Sequence, residues 1–369
     1  MSSRNRRIGI ALAFLFVSAG IIFWQFKRFR SVPLIDSSPS SFSVFENHGL
    51  KRVVPASEII SAGPLQDGVP AIDAPDFEGV AAADQYLKDE GLGIDVEAAG
   101  KHRFYPFQIL VWHLAVNDTI GGKPVLMSFC PLCQSGGVYE RLMDGVPMQF
   151  GTAGKVWNGI SVLYDKNTQT RWTADGGLGL EGPQAGKRLR RMPSRVVSWK
   201  RWKIAYPDGF VLSRRTGAVR DYTLDPYGPY AVNRDVKFSL VRPDLLLPVK
   251  TLVVGVSASG GDVAYEMSDL AHLGVVDDVI GEVPISVWAD AEEMSATAYD
   301  RRLGTRELTF HLLPDGTIKD KETGSSWRRD GLAATGPLRG KKLMPLPLDR
   351  TFWYCWAALH PEGRLYKLP

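Results

Sequence analysis

The chain has 369 residues, with 44 Lys and Arg against 40 Asp and Glu and a net charge of +4 at neutral pH. The first thirty residues hold six of the bases and no acid, so the remainder is close to neutral and carries no global electrostatic footprint for nucleic acid. An apolar content of 44% excludes a disordered chain, and three cysteines are too few for a closed zinc site of four thiolates.

In chain order, Arg4, Arg6 and Arg7 precede the apolar run IGIALAFLFVSAGIIFWQF, Ile8 to Phe26, and Lys27, Arg28 and Arg30 follow it. Nineteen uncharged residues are long enough to cross a bilayer as a helix, and no small-x-small cleavage pattern follows. Residues 1–30 are therefore expected to be an uncleaved membrane anchor. It leaves the rest outside the cytoplasm, facing the periplasm if the host is bacterial. Residues 31–44, rich in Ser and Pro, read as a linker.

Two domains are expected in the remaining length, and an internal repeat defines them. PFQILVWHLAVNDTIGGKPV, from Pro106, falls on EMSDLAHLGVVDDVIGEVPI, from Glu266, at a shift of 160. Asp118 meets Asp278 and Pro124 meets Pro284; farther on Tyr139 meets Tyr299, Arg141 meets Arg301 and Phe150 meets Phe310. After a few extra residues near GTAGKVWNGI, Asp165 meets Asp320 and Trp172 meets Trp327. Trp199, Trp202 and Pro207 meet Trp353, Trp356 and Pro361. The expected organisation is a first unit over 45–210, a connecting segment over 211–251 and a second unit over 252–369.

Short runs such as PVLMSF, GVYERL and ISVLYDK, bounded by Gly, Pro and Asp, predict strands. FQILVWHLAV predicts a helix. The fold class is mainly β with minor α: two similar β-rich halves from an internal duplication, preceded by one transmembrane helix.

The repeat also separates shared from unshared positions. Asp118, Arg141, Asp165, Trp172, Trp199 and Trp202 recur and are assigned to turns, salt links and packing. Three chemistry-bearing residues do not recur: Cys130 becomes Asp290, Cys133 becomes Glu293 and His113 becomes Leu273. They are grouped as one site in the first unit, with Trp157 and Asn158 as part of its wall. Cys355 stands where the first unit has Arg201 and is read as a core cysteine.

LVWHLAVNDTIGGKPVLMSFCPLCQSG, followed by LYDKNTQTRW, GPQAGKRL and RDYTLDPYGPY, resembles a widespread microbial family known only as a domain of unknown function. The resemblance covers about 90–250, with the second copy a weaker echo. It implies a secreted or membrane-anchored protein and carries no activity.

Three chemistries stay open for the site. Thiolates and an imidazole suit Cu or Zn, with Cys130, Cys133 and His113 as ligands. A thiol-disulfide oxidoreductase would use Cys130 to attack and Cys133 to resolve. In the third, the C-x-x-C is a structural disulfide in an envelope scaffold that binds a glycan or protein, with the basic run Lys187 to Lys203, including Arg190, Arg191 and Arg195, as its contact edge. A soft-metal site ranks first. Gly177, Gly179 and Gly182 spell G-x-G-x-x-G, but Pro183 follows and no helix opens, so no nucleotide cofactor is expected.

Overall fold

Residues 42–98 and 100–368 are described by a computed structural model. The expected anchor, Ile8 to Phe26, lies outside them. No helix of the described residues is long and apolar enough to cross a membrane.

The architecture is mainly β with short helices. The N-terminal half contains β1 (Leu92–Ala98), β2 (Lys101–Pro106), α1 (Phe107–Leu110), β3 (Ala115–Ile120), β4 (Lys123–Cys130), β5 (Ser135–Glu140), β6 (Phe150–Trp157), β7 (Ile160–Asp165), β8 (Arg171–Thr173), β9 (Gly179–Glu181), β10 (Arg191–Met192), β11 (Arg195–Ser198), α2 (Trp199–Ala205) and β12 (Phe210–Leu212). The C-terminal half contains β13 (Leu252–Ala258), β14 (Gly261–Glu266), α3 (Met267–Leu273), β15 (Val275–Ile280), β16 (Val283–Asp290), β17 (Ser295–Asp300), β18 (Phe310–Leu312), β19 (Ile318–Asp320), β20 (Ser326–Trp327), β21 (Met344–Leu346), β22 (Leu348–Phe352), α4 (Trp353–Leu359) and β23 (Arg364–Leu365).

Three strand orders occur once in each half. β11-β1-β2-β12 corresponds to β22-β13-β14-β23, with the last strand parallel in both. β3-β4-β5-β10 corresponds to β15-β16-β17-β21, and β6-β7-β8 to β18-β19-β20. In the N-terminal half the last of these grows to seven strands, because β9, 50–52 and 45–47 add to one edge and 59–61 to the other.

Local chemistry explains these elements. β4 and β7 are nearly continuous apolar runs because both faces are covered; all six residues of β7 are buried. The β3–β4 hairpin turns through Gly121 and Gly122, both at positive φ, the conformation a two-residue turn between twisted strands requires. Trp172 Nε1 donates to Asp165 at 2.9 Å, and Trp327 Nε1 donates to Asp320 at 2.8 Å. The W-x-x-W segments are helices whose two indoles stack, Trp199 on Trp202 and Trp353 on Trp356.

Two expectations need correction. The predicted helix FQILVWHLAV is only four residues long: Leu114 takes φ 61 and the chain enters β3 at Ala115. Phe42, assigned to the linker, packs in the core with its ring 6.0 Å from that of Trp157.

One core crosses both halves. Phe352, Tyr354, Cys355, Ala358 and Leu359 from the β22–α4 corner share a buried cluster with Cys130, Cys133, Trp157 and Trp172. The segment 211–251 runs over this core. It is held by Gln108 on the Tyr222 carbonyl, Trp112 on the Leu224 carbonyl and Lys250 on the Tyr230 carbonyl.

Candidate functional site: a buried thiol and carboxylate cluster

The C-P-L-C stretch is the turn between β4 and β5, with Cys130 paired to Ser135 at its base. The Cys133 N–H donates to the Cys130 carbonyl at 3.2 Å, closing a β-turn with Pro131 at the position that favours it. Gln134 then takes φ 53 and its amide donates to the Pro131 carbonyl, which holds the exit of the turn.

This geometry aims both sulfurs inward. Cys130 and Cys133 are fully buried, and their Sγ atoms are 2.6 Å apart. Two backbone N–H groups, from Cys133 and from Ser161 of β7, point at Cys130 Sγ at 3.4 Å each. Burial works to raise the Cys130 thiol, but the donors from Cys133 and Ser161 outweigh it and hold the thiol below its usual range. Burial first, then the neighbouring sulfurs, pushes Cys133 well above that range.

The C-terminal half supplies the rest of the site. The N–H of Phe352 donates to the Cys133 carbonyl at 3.0 Å, and the Tyr354 hydroxyl donates to the Leu132 carbonyl at 2.8 Å. These bonds lock the turn onto the start of α4 and present Cys355 to Cys133. Burial raises the Cys355 thiol to about 12.

Asp175 completes the group. It lies in the loop after β8, where Gly176 and Gly177 take left-handed backbone, and the Ser128 hydroxyl on the Ala174 carbonyl ties that loop to β4. Ligand atoms of Cys133, Asp175 and Cys355 all lie within 4.8 Å of one another, and all three residues are buried. Thr351 donates to Asp175 Oδ2 at 2.8 Å, while Oδ1 has no hydrogen-bond partner. Among the described residues no Lys, Arg or His comes within ion-pair distance of this carboxylate. The nearby Arg188 donates instead to the Gly176 and Leu359 carbonyls. A buried carboxylate in this condition is expensive unless a cation or a proton joins it.

His113 is placed elsewhere. Its Nδ1 sits 2.8 Å from the Pro70 carbonyl and its Nε2 2.7 Å from the Tyr222 hydroxyl, so both ring nitrogens are engaged. Its ring does not converge with Cys130 and Cys133 in the way Asp175 and Cys355 converge with Cys133. Asn158 lies at the edge of the site, its amide 3.4 Å from the Tyr354 carbonyl, and Trp157 packs in the same core as Cys130.

Sequence reasoning missed two residues. Cys355, at the place of Arg201 in the repeat, reads from the sequence as a core cysteine, and no local spacing ties it to Cys133, 222 residues earlier. Asp175 is not singled out by the sequence, since Asp330 stands at the matching position of the C-terminal half.

The basic run is mostly neutralised within the protein. Arg190 pairs with Glu140, Arg191 with Asp349, Arg195 with Asp95, and Lys203 with Asp84 and Asp89. Arg201, at the start of α2, is held by Asp290, Glu292 and Glu293. Glu293 also accepts from the Ser198 N–H at 2.6 Å and from its hydroxyl at 2.9 Å. This second corner occupies, in the β16–β17 turn and at the start of α2, the positions that Cys130, Cys133 and Cys355 occupy in the first.

Fold and site together define a mainly β protein with a buried thiol and carboxylate cluster where its two halves meet. The chain belongs to the family described as Protein of unknown function (DUF3179), whose model matches residues 66–363 and so takes in both halves. Neither the curated proteins nor the solved structures give a match.

Proposed function

We propose that this protein binds one soft metal ion, Cu(I) or Zn(II), on Cys130, Cys133, Cys355 and Asp175. The observation that carries the proposal is Asp175: a buried carboxylate whose Oδ1 has no hydrogen-bond partner, with no cationic side chain within ion-pair distance among the described residues, and two thiols converging on it within 4.8 Å. Thiolates select Cu(I) and Zn(II) over harder ions, and three sulfurs with one carboxylate oxygen make a four-donor set of the kind zinc takes. Such a set has no open position, which favours holding an ion over catalysis at it.

The two corners support the same reading. In one, three carboxylates surround the Arg201 guanidinium. In the other the residue at that position is Cys355, Cys130 and Cys133 stand where Asp290 and Glu293 stand, and Arg188 lies near Asp175 without pairing with it. A metal cation would play the part of the guanidinium. The recurring strand orders and the shift of 160 support an internal duplication, in which the two corners began alike and one exchanged an ion pair for thiols.

Ile8 to Phe26 supports a setting in which the chain is tethered to a membrane with the site outside the cytoplasm. Disulfide exchange with a partner protein needs an exposed sulfur, and neither Cys130 nor Cys133 has exposed surface.

The test is the metal content of the full chain, purified in detergent under reducing conditions and challenged with Cu(I) and Zn(II). About one ion per chain is expected, lost in Cys355→Ser and retained in His113→Gln. No bound ion after either challenge, with all three thiols reduced, would overturn the proposal.

A further inference from the structure

We propose that Cys130 and Cys133 are a peroxide-reactive pair, and that closing their disulfide expels the metal ion; the second clause rests on the metal reading above, the first does not. The sulfurs of Cys130 and Cys133 are in direct contact inside one tight turn, so a disulfide of about 2.05 Å can close between them without bringing distant chain together. Two thiolates sharing a tetrahedral ion at about 2.3 Å per bond stand about 3.8 Å apart, so the metal-bound and bonded arrangements exclude each other. Moving between them needs only a change at the turn, because the Cys130 carbonyl to Cys133 N–H bond can hold the turn in both.

Burial selects the oxidant. Both sulfurs are fully covered, and Tyr227, Val236, Phe238 and Leu240 of the 211–251 segment pack over the same core. A protein disulfide or glutathione disulfide has no line of attack on either sulfur, whereas hydrogen peroxide is small and neutral. Cys130 is the attacking atom, since the N–H groups of Cys133 and Ser161 already point at its Sγ and would stabilise negative charge there.

The chemistry balances with peroxide as the sole oxidant. Cys130 Sγ attacks one peroxide oxygen, the O–O bond breaks, and the departing hydroxide takes the Cys130 thiol proton as water, leaving a sulfenic acid. Cys133 Sγ then displaces the sulfenic oxygen, which leaves as a second water with the Cys133 proton. Two thiols and one peroxide become one disulfide and two waters. In the metal-bound protein both sulfurs start as thiolates, so the two departing oxygens leave as hydroxide and take their protons from solvent; the ion keeps two donors of four, Cys355 and Asp175, and is released.

The experiment uses the full chain in detergent, apo and Zn(II)-loaded, treated with hydrogen peroxide or with glutathione disulfide. In the apo protein peroxide is expected to make the peptide carrying Cys130 and Cys133 two hydrogens lighter while Cys355 remains alkylatable. Glutathione disulfide should leave all three thiols reduced. Chain treated briefly with peroxide and then unfolded into dimedone should carry the adduct on Cys130, and Cys133→Ser should increase that adduct. A disulfide that includes Cys355, a dimedone adduct on Cys133 or Cys355 alone, or equal reaction with glutathione disulfide would overturn the peroxide pair. In the loaded protein peroxide should pass Zn(II) to a chromogenic chelator with the same time course as disulfide formation. Disulfide formation with Zn(II) retained would overturn the release step alone. Failure to load Zn(II) at all would count against the metal reading and leave the apo result standing.

Discussion

The turn Cys130-Pro131-Leu132-Cys133 and the turn Asp290-Ala291-Glu292-Glu293 lie at matched places in the two halves. Each is the turn between the second and third strands of its sheet, and each docks on a short W-x-x-W helix of the other half. Both are followed by a non-glycine residue in left-handed backbone, Gln134 at φ 53 and Met294 at φ 46. What differs is the means of attachment. The acidic turn is half-exposed and satisfied by Arg201, whose side chain keeps 38% of its surface. The cysteine turn is wholly buried, bound by backbone hydrogen bonds, and carries its reactive atoms inward. The same backbone frame thus supports an ion-paired seam in one place and a buried thiol and carboxylate cluster in the other, and burial separates the two outcomes.

The largest expected effect comes from making the cysteine corner imitate the acidic one. Cys355→Arg would bury a guanidinium with Asp175 as its one available carboxylate, destabilising the protein by about 3–5 kcal/mol in urea denaturation and abolishing metal binding. Adding Cys130→Asp and Cys133→Glu should recover part of that loss; no recovery would break the equivalence of the corners. Next is Asp175→Asn. It removes an incompletely paired buried carboxylate, so the metal-free protein should gain about 1–3 kcal/mol while metal affinity falls, opposite changes that a purely structural Asp175 would not give.

A smaller effect is expected for Arg201→Ala. It removes one cation from Asp290 and Glu293, which keep Arg329 and Ser198 respectively, and partial exposure limits the loss to about 1–2 kcal/mol, less at high salt, with metal stoichiometry unchanged. The smallest concerns pH. Burial holds His113 and His360 below the usual imidazole value of 6.5, Asp262 opposing this at His360. The unfolded chain therefore binds more protons than the folded one as pH falls. Their contribution to stability is fully present above about pH 6.5 and is lost as pH drops toward the lowered folded values. Urea midpoints measured from pH 8 to pH 5 should decline, and His113→Gln should flatten the decline while leaving the metal in place.

Much of the frame was legible in the sequence. The shift of 160 predicted elements that the structure sets in matching strand orders, because turn Gly, Asp and Pro residues and apolar runs act locally. Half of the site was legible as well: Cys130 and Cys133 are three residues apart, and Asp290 and Glu293 at the matching positions of the C-terminal half single them out. The helix over FQILVWHLAV was not, since apolar spacing cannot reveal that Leu114 turns into left-handed backbone. Comparing the halves gives no signal at Asp175, because aspartates at matching positions, Asp175 and Asp330, can face different surroundings.

The sequence by itself determined the mainly β texture, the recurring pattern of the two halves, and a cysteine turn with no counterpart in the second half, because each depends on residues near one another along the chain. Tertiary structure alone decided that His113 bonds to Pro70 and Tyr222 and that Cys355 and Asp175 join the cysteines. Asp175 and Cys355 stand 42 and 222 residues beyond Cys133 in the chain; the loop after β8 brings the first and the docking of α4 into the core of the other half brings the second.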